Sequence, residues 1–276
     1  MVRTHLAKEF GVERSCRALG LSVSTFYYHS TAASRRRAED DAILHKIEEA
    51  IELLPDSGYR PITALLKVNH KRIQRIMAEN GLQSRKKRKN RKTTDSAGPG
   101  PKFPNILKDA EITRINQALV GDVTAYDIRG KDHFLATLMD LKSNRIVGAA
   151  TSERNDCDLV LSALKMAKET RGDLQGCIHH TDSGTPYRSE KYQALLAEYG
   201  MKVSMCVRSV FENAHAESLN KTIKRQEINV SEYRDHYESA ESIGRYIYLY
   251  NNIRPHSSLQ YLSPVECEHK YFPFQF

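Results

Sequence analysis

No stretch of this 276-residue chain approaches the roughly eighteen consecutive apolar residues that a membrane-crossing helix requires. That predicts no helical membrane partner. The first ten residues, MVRTHLAKEF, lack the apolar core of a secretory leader, so no signal peptide is expected. Cysteine is sparse. The five thiols, at 16, 157, 177, 206 and 267, form no Cys-x-x-Cys pair, which argues against a structural zinc site. An odd, scattered set suits reduced thiols, so a cytoplasmic location is expected. Acidic charge is also in short supply: 34 Asp and Glu stand against 42 Lys and Arg, for a net charge of +8.

The basic excess is concentrated. Residues 85–92 read RKKRKNRK, with Arg85, Lys86, Lys87, Arg88, Lys89, Arg91 and Lys92 crowded together. Such a run repels itself unless it lies along a polyanion. It sits between two patterned regions, which favours a linker tracking a nucleic-acid backbone. Its contacts would be to phosphate, salt-sensitive and blind to sequence.

Hydrophobic residues make up 40% of the chain, enough for an ordinary globular core. The first third patterns as helices. VERSCRAL (12–19), a break at Gly20, a cap at Ser22 and a second helix over 23–29 have the spacing of a helix-turn-helix. The second helix would offer Ser24, Thr25 and Tyr28 to a DNA groove. A helix is expected over 35–54, another from Pro61 to Lys67, and a third over 70–79 capped by Asn69, with Lys71, Arg72 and Arg75 on its outer face. After the basic run, GPGP (98–101) marks a linker.

The period then changes to two. Strands are predicted over 118–124, 134–140 and 145–151, joined by turns at 129–131 and 142–144. A helix capped at Asn155 or Asp156, a strand over 176–179, a helix over 189–199, a strand over 201–205 and a long helix over 213–228 follow. This order predicts an α/β core: a mixed five-stranded sheet with flanking helices, preceded by small all-α domains. The expected boundaries are 1–33 helix-turn-helix, 34–83 second helical segment, 84–112 linker, 113–230 core and 231–276 helical extension.

Three acidic residues stand out on that scaffold. Asp122 interrupts an apolar strand in LVGDVTAY, Asp182 follows the fourth strand in HHTDSG, and Glu217 lies in the last core helix. If strands one and four are parallel neighbours, the two aspartates emerge side by side. Three hard carboxylates meeting at one point suit Mg²⁺ or Mn²⁺. Singly, each has a plainer reading: a backbone bond, a turn, a solvated helix residue. His179, His180 and His215 lie near this site. Zinc ligation is one reading, but imidazoles beside carboxylates more often tune or position. In the C-terminal segment, Arg254 and His256 are candidate DNA contacts, while Tyr246 and Tyr250 read as packing.

The segments GDVTAY, LMDLKSNRIVGAATSERND, IHHTDSGTPYRSEKYQALLAEYG, ENAHAESLNKTIKRQE and YNNIRPHSSLQYLSPVE resemble, in family order, the DDE transposases of bacterial insertion sequences of the IS-three group. The resemblance implies a ribonuclease-H-like, retroviral-integrase-like core. It also implies that Asp122, Asp182 and Glu217 are catalytic and hold two Mg²⁺ ions, for which Mn²⁺ can substitute. Lys224, seven positions after the glutamate and on one helix face with Lys221, would hold DNA beside them. The implied activity is metal-dependent cleavage of element ends and transfer of the 3′-hydroxyl strand into DNA. Implied partners are double-stranded DNA (terminal inverted repeats and target), a second copy of the chain on that DNA, and an upstream-frame protein as fusion or companion, at the bacterial nucleoid. Two departures are visible. Asp182 and Glu217 are separated by thirty-four residues, one fewer than the family usually has, and Glu212-Asn213 replaces its Asp-Asn pair. They keep open two alternatives, a regulatory DNA-binding protein of the element and a hydrolytic nuclease of the same fold.

Overall fold

The computed structural model describes residues 7–27, 31–83, 103–206 and 213–273. The chain divides into two compact units, 1–48 and 49–276. The first contains α1 (Val12–Ala18) and α2 (Val23–Tyr27), with Gly20 between them at φ +65°. Ser22 caps α2, its Oγ accepting the Thr25 amide at 3.0 Å. The Ser24 and Thr25 hydroxyls both bond to Ser22. Tyr28 and the basic run at 85–92 lie outside the described residues. α3 (Thr31–Leu53) starts earlier than its apolar stripe suggested.

In the second unit, α4 (Tyr59–Leu66) and α5 (His70–Glu79) form the expected pair, with Asn69 capping α5. α4 begins two residues before Pro61, because amides of a first helical turn have no carbonyl to bond and proline is tolerated there. Lys71 is exposed, Arg72 half-buried, and Arg75 pairs with Glu79 at 2.9 Å.

The core sheet has strands β1 (Ala118–Ile128), β2 (Lys131–Asp140), β3 (Ile146–Ser152), β4 (Ile178–Thr181) and β5 (Lys202–Met205). Their order is β3-β2-β1-β4-β5. The first three form the antiparallel meander, and β4 and β5 add in parallel. This is the mixed, ribonuclease-H-like sheet. β1 and β2 run farther than predicted. Arg129 and Gly130, both at positive φ, make a two-residue turn whose twist lets pairing continue to Ile128 and Lys131. The polar tips Asp127, Asp132 and His133 hid this extension in the sequence.

Alternation along β1 sends successive residues to opposite layers. Leu119 joins Ala136, Leu138 and Val147 beneath α6 (Cys157–Arg171), which contributes Leu159, Val160, Ala163, Leu164 and Ala167. α7 (Thr185–Arg188) and α8 (Glu190–Glu198) complete that layer. Val120, Leu135, Met139 and Ile146 face the other way, under α9 (Ala214–Ile223) and α10 (His236–Asn252). α9 does not continue to Ile228 as an α-helix. Lys224–Ile228 forms a π turn, which buries Gln226 and Glu227 on the inner side. α11 (Pro264–Tyr271), started by a Ser263–Glu266 capping box, closes the chain. It carries buried Glu268, which is bonded to Arg171, Arg145 and Ser143.

Candidate active site

β1 and β4 are parallel neighbours, with Val120 opposite His180. Two residues farther along, the same register brings Asp122 level with Asp182, the first residue beyond β4. Gly121 makes the close approach possible, since a Cβ there would come 3.2 Å from His179 Cε1 and 3.3 Å from a Thr181 methyl.

Each aspartate is held by backbone. Asp122 Oδ1 accepts the Val123 amide at 2.9 Å, and its Oδ2 accepts Asn220 Nδ2 at 2.9 Å. Asp182 Oδ1 accepts the Gly184 amide at 3.0 Å. A side chain on Gly184 would stand 2.9 Å from that oxygen. Glu217 comes from α9, whose buried side is Ala216, Leu219, Asn220 and Ile223. Two asparagines fasten this helix to β1: Asn220 through Asp122, and Asn213 by donating to the Gly121 carbonyl at 2.9 Å. Glu217 is half-buried and paired with Lys221 at 3.3 Å.

The electrostatics of the pocket centre on Asp122. Burial, then the charge of Asp182 and, to a smaller extent, that of Glu217, pushes the Asp122 carboxyl up to about 7, against the Val123 and Asn220 hydrogen bonds. Burial likewise raises Asp182, offset by the Gly184 amide and the Arg188 charge. Burial pulls the Lys224 ammonium below its ordinary value while the Asp122 charge holds it up. Asp182, Glu217 and Lys224 thus each act on Asp122 through their charge. Among the described residues, no three His, Cys, Asp or Glu groups stand together closely enough to hold a metal ion. Lys221 engages Glu217 at the helix surface.

The remaining candidates separate from this pocket. His179 shares a hydrogen bond with Tyr192 at 2.7 Å and His180 with Ser204 at 2.8 Å, so both histidines serve packing. Arg254 and His256 belong to a different cavity, together with exposed His215. Tyr246 and Tyr250 are buried in the core, as their spacing suggested. Three residues beside the acids carried no signal that drew attention: Asn220, Tyr187 and Arg188. Tyr187 feels both Asp122 and Asp182. Arg188 is 2% exposed, and its guanidinium has no hydrogen-bond partner among the described residues.

The Integrase core domain family profile matches residues 112–209, and a second profile of the same description matches 205–264. The chain is 30% identical to the putative transposase InsK for insertion sequence element IS150 of Escherichia coli (strain K12), over 99% of both chains. The chain belongs to the bacterial insertion-sequence transposases. It is 32% identical to the IS904 transposase of Lactococcus lactis subsp. lactis, over 74% of this chain and 81% of that one. The HTLV-2 integrase catalytic core in complex with magnesium superposes with a TM-score of 0.46 at 18% identity, over 56% of this chain and 97% of that one. This transposase therefore functions in DNA transposition, as a nucleotidyl-transfer enzyme of the integrase-core class.

Proposed function

We propose that this transposase cuts DNA at the ends of its element and joins the freed 3′-hydroxyl to a second phosphodiester, with Asp122, Asp182 and Glu217 as the metal-binding carboxylates. The observation that supports this most is the level placement of Asp122 and Asp182 on neighbouring parallel strands, where burial, then the charge of Asp182 and, least, that of Glu217 lift the Asp122 carboxyl to about 7. Asp122 and Asp182 at level positions of neighbouring strands offer hard oxygen donors of the kind Mg²⁺, or Mn²⁺ in its place, takes, and the triad would hold two ions once Glu217 leaves Lys221 and closes on that pair. When bound, the ions supply Lewis acidity toward the phosphodiester.

The chain's own residues do the rest. The Val123 amide and Asn220 fix both oxygens of Asp122, and the Gly184 amide fixes one of Asp182. Lys224 presents a cation to phosphate beside Asp122. Its neighbour Lys221 is 65% exposed at the side chain and is free to trade Glu217 for DNA. No side-chain nucleophile is needed, because a hydroxyl of water or DNA attacks in line.

The domain division follows the same reading. Residues 1–33 and 34–83 grip the inverted repeats, 84–112 tracks backbone, 113–230 performs chemistry and 231–276 buttresses it. Assembly of two or more copies on paired ends, with or without an upstream-frame protein, belongs to this proposal, as does work at the nucleoid. The test incubates the full chain with element-end duplex, with Mg²⁺ or with chelator, for wild type and Asp122→Asn. Nicked and joined strands should form only with wild type plus metal. Cutting by Asp122→Asn at the wild-type rate would end the assignment. Precut ends that are hydrolysed but never joined would identify a nuclease instead.

A further inference from the structure

α9 has two working faces. Glu217, Asn220 and Lys224 recur at three- and four-residue steps on the side toward the acids. His215, Ser218 and Thr222 lie on the opposite side and line a separate cavity of about 570 Å³. Met139, Leu219 and Tyr250 also line it. Its cations are Arg60, Lys142 and Arg254, and no Asp or Glu lines it. Among the described residues none of these three cations pairs with a carboxylate, and Lys142 Nζ donates to the Ile112 carbonyl at 3.3 Å. Arg254 is held in place, Nε donating to Gln226 at 2.9 Å and the guanidinium lying 5.5 Å from the Tyr250 ring centroid. Its Nη1 contacts His256, and its Nη2 makes no hydrogen bond within the described residues.

Three cations and no acid line one concave wall, and a low-dielectric wall focuses such a field. An anion is the ligand that this charge favours. Hydroxyls of Ser218 and Ser257 add donors suited to phosphate oxygens, while that of Thr222 donates to the Ser218 carbonyl at 2.9 Å. Arg60 and Ser257 are exposed at the rim, so the cavity opens to solvent and admits a polymer. We infer that this cavity is a second phosphate site, which grips a backbone phosphodiester of bound DNA behind the catalytic helix, about one helix diameter (~10 Å) from the acidic pocket. The location relative to chemistry rests on the function proposed above; the phosphate chemistry does not.

The test uses the full chain and a labelled mixed-sequence duplex, with affinity measured across salt concentrations. Arg60→Gln combined with Lys142→Gln should flatten the slope of log affinity against log salt by about two, one per lost phosphate contact. Lys165→Gln combined with Lys191→Gln, exposed on other helices, removes the same charge and should leave the slope nearly unchanged. Ser257→Glu adds a negative charge at the rim and should weaken binding roughly tenfold at low salt, whether or not the double variant folds. A wild-type slope in the Arg60/Lys142 variant, or wild-type affinity in Ser257→Glu, overturns the inference. Adenosine monophosphate, at matched ionic strength, should not displace the duplex. Displacement lost in the double variant would mark a free-nucleotide site and overturn the DNA assignment. Asp122→Asn keeps the two readings apart: it should retain the full salt slope, and its cutting activity judges the acidic pocket alone.

Discussion

Asn220 on α9 donates to the carboxylate of Asp122 on β1 at 2.9 Å, so a single side chain couples the helix that carries Glu217 to the strand that carries the first acid. Thr137 of β2 contacts the amide oxygen of Asn220 at 3.4 Å, which orients the donor toward Asp122.

Replacing Asn220 with leucine removes the donor while retaining bulk. Strand cutting should fall about 10- to 100-fold, with more Mg²⁺ needed for half-maximal rate and little change in DNA affinity. A metal titration of the cutting rate reads this directly. An unchanged Mg²⁺ requirement would show that Asn220 only packs.

Two glycine-to-alanine changes should have opposite signs. At Gly148 of β3 a Cβ would run into the backbone carbonyl of Ala163 on α6, so helix and sheet must separate. Gly148→Ala should cost about 1–3 kcal/mol in urea denaturation. Gly244 lies exposed on α10 with nothing near its Cβ position. Gly244→Ala should add about 0.5–1 kcal/mol. Equal effects at the two positions would contradict the packing described here.

Glu268 is fully buried between Arg171 and Arg145, with Ser143 donating to it at 2.7 Å. Burial raises its pKa, but hydrogen bonds and charge from Arg171, then Ser143 and Arg145, outweigh burial and hold it below the usual carboxylate value. Glu268→Ala strands Arg171 beside Asp140 and should cost about 3–5 kcal/mol. A loss under about 1 kcal/mol would mean the network is replaceable.

Two buried histidines set a pH dependence. Burial, with the charge of His180, pushes His179 from 6.5 to about 3, and burial with the Arg254 charge does the same to His256. Between those values the unfolded chain binds protons that the folded chain refuses. The contribution is therefore complete above 6.5 and is lost as pH falls toward 3. Each histidine contributes at most about 1.4 kcal/mol per pH unit. The raised carboxyl of Asp122 works in the opposite direction over the same range, so the histidine share is read by comparison: on going from about pH 7.5 to about pH 5.5, wild type should lose more stability than His179→Gln or His256→Gln. Equal losses in wild type and both variants would place these rings in contact with water.

Much of the fold was legible because its signals are local. Period two marked β1 to β3, and the apolar stripe of residues 159–167 marked α6. Parallel pairing of β1 with β4 entered the sequence reading only as a condition, and the register of the folded sheet meets it, bringing Asp122 level with Asp182. What stayed hidden is non-local. Arg171 and Glu268 lie 97 residues apart, and neither sits in a pattern that names the other. The five residues of the π turn look in sequence like about one and a half more turns of ordinary helix. Arg188 in YRSE reads as a surface charge, and only the folded chain buries it. Asn220 is one polar residue on a helix face, and its bond to Asp122 needs the tertiary fold.

The widened turn at Lys224–Ile228 has a consequence for genetics. Within three residues it sends Lys224 toward the acids and Gln226 into the interior, where Gln226 accepts from Tyr246 and Arg254 and donates to Ser57. One short segment serves two neighbourhoods at once. Lesions there will be pleiotropic, damaging chemistry and scaffold together, and no single assay of such an allele will tell which was hit first.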